Sequence, residues 1–202
     1  PFTFNQNPIE IDEAHAATIG QTARAAGLEL VAMHWLLAMP PGLHLTTPDT
    51  EVRNRTINFA KHLARLGGAM GAKFMVWGSP KQRDVVEGDT YECAFKRGVE
   101  GVRQVCEVAG SLGITVAMEP LGPQETNFML FVDDTIQFIE QVDHPACQLH
   151  LDVKAMSSEP DPIPQVIKAG ADHLAYFHAN DANLRGPGFG KTDYVPIATA
   201  LK

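Results

Sequence analysis

Three side chains of metal-binding type close three short apolar runs in this sequence. Glu119 follows Ile114-Thr115-Val116-Ala117-Met118, Asp152 ends the run from Cys147, and His178 ends the run from His173. Pro120 comes directly after Glu119 and cannot extend a ladder, so the carboxylate stands at a strand end. Burying a carboxylate there is costly unless something positive holds it. Two carboxylates and an imidazole, brought together, suit one divalent metal ion. Mn²⁺ is the first choice, with Mg²⁺, Co²⁺ or Zn²⁺ as alternatives, and positions stay open for water or substrate oxygens. Each residue also has an ordinary reading. A lone Glu often joins a salt bridge, an Asp at a strand end often caps the next helix, and a lone His is usually a satisfied structural group. Three at successive strand ends favour a shared site.

The elements that must position them recur as a strand followed by a helix. The spacing predicts a helix over 10–26 stopped by Gly27, then a strand LELVAMHW. Thr47-Pro48-Asp49 opens a helix running to about Ala69, and KFMVWG is the next strand. From Tyr91 to Leu112 the apolar residues return at three- or four-residue steps, an amphipathic helix ended by Gly113. Helix 132–143 precedes CQLHLD, helix 162–170 precedes HLAYFH, and a last helix starts near Pro196. Such alternation argues for parallel βαβ units. No Gly-rich phosphate loop follows the early strands, which removes the main mark of a dinucleotide-binding sheet. His34, Trp77, Glu119, Asp152 and His178 instead gather at strand C-termini, which converge on one mouth in a (β/α)8 TIM barrel. That barrel is the expected fold, one domain over residues 1–202.

Other residues join the candidate site on weaker signals. His34, beside Trp35, is a candidate for the pocket wall or a packed rim histidine. Lys81 and Arg83 follow the turn Gly78-Ser79-Pro80 and could grip a phosphate or carboxylate, or form a solvated loop. His150 shares strand parity with Asp152 and is read as a partner bonded behind the ligands. Gly186, Gly188 and Gly190, with Pro187, shape turns.

Bulk properties narrow the function classes. The chain has 202 residues, 45% hydrophobic and 20% charged, with a net charge of −8. The acidic balance argues against nucleic acid as a partner. No apolar run reaches the roughly 18 residues of a membrane helix, and PFTFNQNP lacks the features of a signal peptide. Cys93, Cys106 and Cys147 form no CxxC pair and read as reduced, mostly buried thiols of a cytoplasmic protein.

The chain also resembles the sugar-phosphate isomerase/epimerase group of xylose-isomerase-like TIM barrels, which includes the ketose 3-epimerases. The resemblance is densest in GSPKQR (78–83), EPLGPQET (119–126), HPACQLHLD (144–152) and HANDANLRGPGFG (178–190). It implies that Glu119, Asp152 and His178 are metal ligands, that Glu125 and Arg185 face substrate, and that a fourth ligand, a Glu, lies beyond Lys202. Arg185 is displaced by one residue relative to some epimerases. The implied reaction is proton transfer next to a carbonyl through an enediolate. Glu119 would be one acid/base, the missing Glu would serve the opposite face, and the partner would be a small sugar or sugar phosphate.

Departures from the family pattern carry information too. Ala155 stands where the ketose 3-epimerases have a substrate-contacting His, and where apurinic endonucleases of the same barrel family have a metal-binding one. Lys154, one residue earlier, either points at the site and favours an acidic substrate or lies along the rim. A non-catalytic sugar-binding barrel is the other rival. Counting a first strand cut off at PFTF, six of the eight barrel strands can be read. The expectation is a chain truncated at both ends, with sheet edges covered by more chain or by partners in a homo-oligomer. As isolated, it would hold metal weakly and turn over poorly.

Overall fold

A computed structural model describes residues 7–202. The helices start where side chains satisfy their first free N–H groups. Asp12 accepts from His15 N at 2.8 Å to open α1 (Glu13–Ala25). Asp49, rather than Thr47, opens α2 (Thr50–Met70), accepting from Glu51 N and Val52 N. Thr90 opens α3 (Tyr91–Ser111) through Cys93 N. α4 (Val132–Val142), α6 (Ile163–Ala169) and α7 (Tyr194–Ala200) match the predicted helices within a few residues. The short α5 (Val153–Met156) is unheralded in the sequence and begins directly on Asp152. Gly27, Gly71 and Gly113 end helices with positive φ, a conformation glycine adopts without steric cost.

Between the helices lie β1 (Ala32–Met33), β2 (Phe74–Trp77), β3 (Thr115–Met118), β4 (Cys147–Asp152) and β5 (Leu174–His178). They form one parallel sheet in the order β1-β2-β3-β4-β5, a five-strand half-barrel that realises part of the (β/α)8 design. The strand expected at PFTF falls outside the described residues. LELVAMHW contributes only Ala32 and Met33 to the ladder, and Leu28 and Val31 are exposed. The central strands are buried on both faces, which is why they read as unbroken apolar runs. Phe95, Phe128 and Phe138 fill the layer beneath α3 and α4, with ring centroids 5.3–6.2 Å apart. All three cysteines are free; Cys106 and Cys147 are buried and Cys93 is exposed. No helix of the described residues is long and apolar enough to cross a membrane.

The loops after β2 and β3 are tied to each other. Thr126 Oγ1 donates to Asp84 Oδ1 at 2.7 Å, and Asn127 exchanges hydrogen bonds with Val85. Both loops therefore present their residues to the same side of the sheet.

Candidate functional site

At the C-terminal ends of β3, β4 and β5, Glu119, His150, Asp152 and His178 each offer an atom, all within 4.8 Å of one another. The three expected ligands are thus brought together. His150, expected behind them, stands among them: its Nε2 lies 3.6 Å from Glu119 Oε1. A shift in the β4–β5 register sets His150 opposite Tyr176 and Asp152 opposite His178.

The hydrogen bonds assign each donor a role. His150 Nδ1 lies 3.1 Å from the Tyr176 carbonyl, which can only accept, so Nδ1 carries the proton and Nε2 presents a lone pair. That Nε2 is buried and has no hydrogen-bond partner. Asp152 divides its oxygens. Oδ1 accepts from Ala155 N at 3.1 Å and caps α5, while Oδ2 accepts from Asn180 Nδ2 at 2.9 Å and lies 3.6 Å from His178 Nδ1. One oxygen of this carboxylate therefore caps the helix, while the other faces His178 within the cluster. Gly78 lets the Glu119 carboxylate lie against the backbone where it does. A Cβ on Gly78 would stand 2.3 Å from Glu119 Oε2.

The electrostatics follow from this crowding. Burial, then the like charge of Asp152, pushes the Glu119 carboxyl up to about 7, against the pull of Arg83 and His178. Burial pushes Asp152 up as well, but the adjacent His178 and hydrogen bonds from the Ala155 amide and Asn180 outweigh it and hold Asp152 below its ordinary value. Burial, with the neighbouring His178, pushes His150 down to about 3, so it is neutral at physiological pH. His34 is also lowered, by burial first. A neutral imidazole lone pair aimed at two carboxylates and a second imidazole is an arrangement that a divalent cation satisfies.

A cavity of about 430 Å³ opens in front of this group. His34 lines it, with its ring 5.2 Å from that of His178. Lys81, Glu125 and Lys154 line it too, and Lys154 Nζ is bonded to Glu125 Oε2. Arg185 is exposed in the 181–190 loop and is not part of the lining. Arg83 is neither a phosphate grip nor solvated. It is fully buried, and its Nη1 donates to the Glu119 carbonyl at 2.7 Å. The glycine-rich loop folds around the buried Asp181, which accepts from Gly190 N and Thr192 N, so its glycines do shape turns. Trp35, Ser79 and Leu184 were not singled out for the cavity wall, yet all three line it with positive φ. Non-glycine residues held there mark strained backbone, which collects at functional sites.

A xylose isomerase-like TIM barrel family model matches residues 2–202. The chain belongs to that family. It is 28% identical over 199 residues to D-psicose 3-epimerase from Ruminiclostridium cellulolyticum, a match covering 96% of this chain and 64% of the relative. It is 27% identical over 203 residues to D-psicose 3-epimerase from Agrobacterium fabrum, covering 96% and 66%. The chain thus spans about two thirds of the length of these relatives. A solved D-psicose 3-epimerase with D-tagatose, from Clostridium cellulolyticum H10, superposes with a TM-score of 0.83 at 23% identity, covering 95% of this chain and 66% of that one.

Proposed function

We propose that this family member is a metal-dependent sugar epimerase that moves a proton on the carbon next to a carbonyl. The observation that carries the reading is the buried, lone-pair-bearing Nε2 of His150 facing Glu119 within a group that also contains Asp152 and His178. These four residues would hold one divalent cation, and two imidazoles favour Mn²⁺, Co²⁺ or Zn²⁺ over Mg²⁺. When bound, such an ion polarises a carbonyl and stabilises the negative charge that develops beside it.

The remaining chemistry belongs to the chain. Glu119 stands at the cavity, placed to take the proton of an adjacent C–H from one face of the carbon, and inversion then needs a second acid that delivers a proton to the opposite face. Arg83 fixes the Glu119 backbone from below through its bond to the carbonyl. Glu125 and Lys154 face the substrate's hydroxyl groups, and His34 closes the side of the cavity nearest His178. The D-psicose 3-epimerases among its relatives support a ketose as substrate. Exchange in D2O tests the proton transfer itself. With Mn²⁺ and a panel of ketoses, the hydrogen next to the carbonyl should wash out, and Glu119→Gln should slow this by about 10²–10⁴-fold. Failure of every ketose to exchange on metal-loaded protein would end the proposal.

A further inference from the structure

The Lys154–Glu125 ion pair lies on the cavity wall, and each side chain is 31% exposed. It joins two separate elements, since Lys154 follows β4 and Glu125 belongs to the loop after β3. Lys154 is anchored at its backbone as well, where its N–H donates to Asn180 Oδ1 at 3.1 Å. Asn180 in turn bonds Asp152, so the lysine is tied to the metal-binding group itself. Beside it, the methyl side chain of Ala155 leaves the wall open.

We propose that Glu125 cancels the charge of Lys154 and so makes this cavity reject anionic sugars in favour of neutral polyols. This rests on the epimerase reading above and names the substrate class within it. Lys81 is the other lysine on the wall, and its ammonium lies 3.4 Å from Asp84 Oδ2. Both lysines of the lining are therefore matched by carboxylates. A phosphate or carboxylate arriving at Lys154 would have to take it from Glu125. That would leave Glu125 without its lysine and within electrostatic reach of Glu119, where like charges repel. A neutral diol has no such cost. The ammonium keeps N–H donors, and the carboxylate keeps lone pairs, for hydroxyl groups laid along the intact pair.

Removing the masking charge should unmask an anion site. Titration calorimetry with inorganic phosphate, in EDTA, should show Glu125→Gln binding about tenfold more tightly than wild type, an effect of the size of one freed charge contact. The gain should vanish when Lys154→Gln is added. On Mn²⁺-loaded protein, wild type should bind a neutral ketose more tightly than its phosphate ester, and Glu125→Gln should narrow or invert that order. Both side chains are partly exposed at the cavity wall, so the variants should melt close to wild type. Equal phosphate affinity in wild type and Glu125→Gln, or a wild-type preference for the phosphate ester, overturns the proposal. If no sugar binds any form, the epimerase reading fails, while the phosphate titration still decides the role of the pair.

Discussion

Replacing Glu119 by Gln should stabilise the metal-free protein at alkaline pH, although it removes the carboxylate proposed to move the proton. The carboxyl's value rises from an ordinary 4.5 to about 7 on folding, chiefly through burial. At about 1.4 kcal/mol per tenfold change in proton affinity, this corresponds to about 3 kcal/mol. The sign follows from which form the fold prefers. Because the folded value is raised, the stability linked to Glu119 is fully present below about pH 4.5 and is lost as pH rises through about 7. Gln has the same shape and no charge to bury, so it escapes that loss. Glu159, likewise raised to about 7, first by burial, adds a slope of the same sign, but wild type and variant share it.

Thermal unfolding in EDTA from pH 4.5 to 8.5 measures the difference. The two proteins should melt together near pH 4.5. By pH 8.5 the Gln variant should melt about 6–12 °C higher, since about 3 kcal/mol shifts the midpoint of a domain this size by that order. Added Mn²⁺ should reverse the ranking, because the cation binds the carboxylate form. At a thousand times its Kd, the ion adds about 4.1 kcal/mol to wild type, more than the deficit of about 3 kcal/mol. A difference between the two proteins that does not change with pH would refute the account of Glu119 as a buried, proton-hungry carboxyl.

Two further substitutions probe how the group is assembled. Gly78→Ala would push a methyl against Glu119 Oε2; Mn²⁺ affinity by titration calorimetry should fall about 10–100-fold, and an unchanged affinity would show that the carboxylate need not sit there. His150→Gln should reduce the imidazole nitrogens coupled to bound Mn²⁺, counted by electron spin-echo modulation, from two to one. Affinity should drop by a similar factor, and an unchanged count would return His150 to a purely supporting role.

The parts of this site that could be read in the sequence are those where burial and polarity conflict. A strand covered on both faces is written as an apolar run, so a Glu, Asp or His at its end stands out. That conflict, with their places at successive strand ends, singled out Glu119, Asp152 and His178, which the structure brings together. LELVAMHW shows the limit of the same reasoning, because composition does not say what lies over a strand. Leu28 and Val31 are apolar yet exposed, and the ladder keeps only two residues. Other features depend on relations between distant segments. Strand parity aimed His150 the same way as Asp152, but its depth comes from the β4–β5 register shift, which leaves no local signature. α5 is too short to show periodicity, and one oxygen of Asp152 starts it while the other stays with the metal-binding group.

The charges were hardest to place. Arg83 looked like a loop cation because nothing in GSPKQR says the chain turns inward there. In the structure it is buried against the Glu119 carbonyl, where it favours ionisation of the very carboxyl that burial opposes. Lys154 was visible as a lysine two residues after Asp152, whereas Glu125 entered only through the family resemblance. Their partnership spans 29 positions and changes what both imply. A free lysine at this mouth would draw anions. A paired one offers matched donors and acceptors, and it is the pairing, rather than either residue, that bears on which ligands the cavity admits.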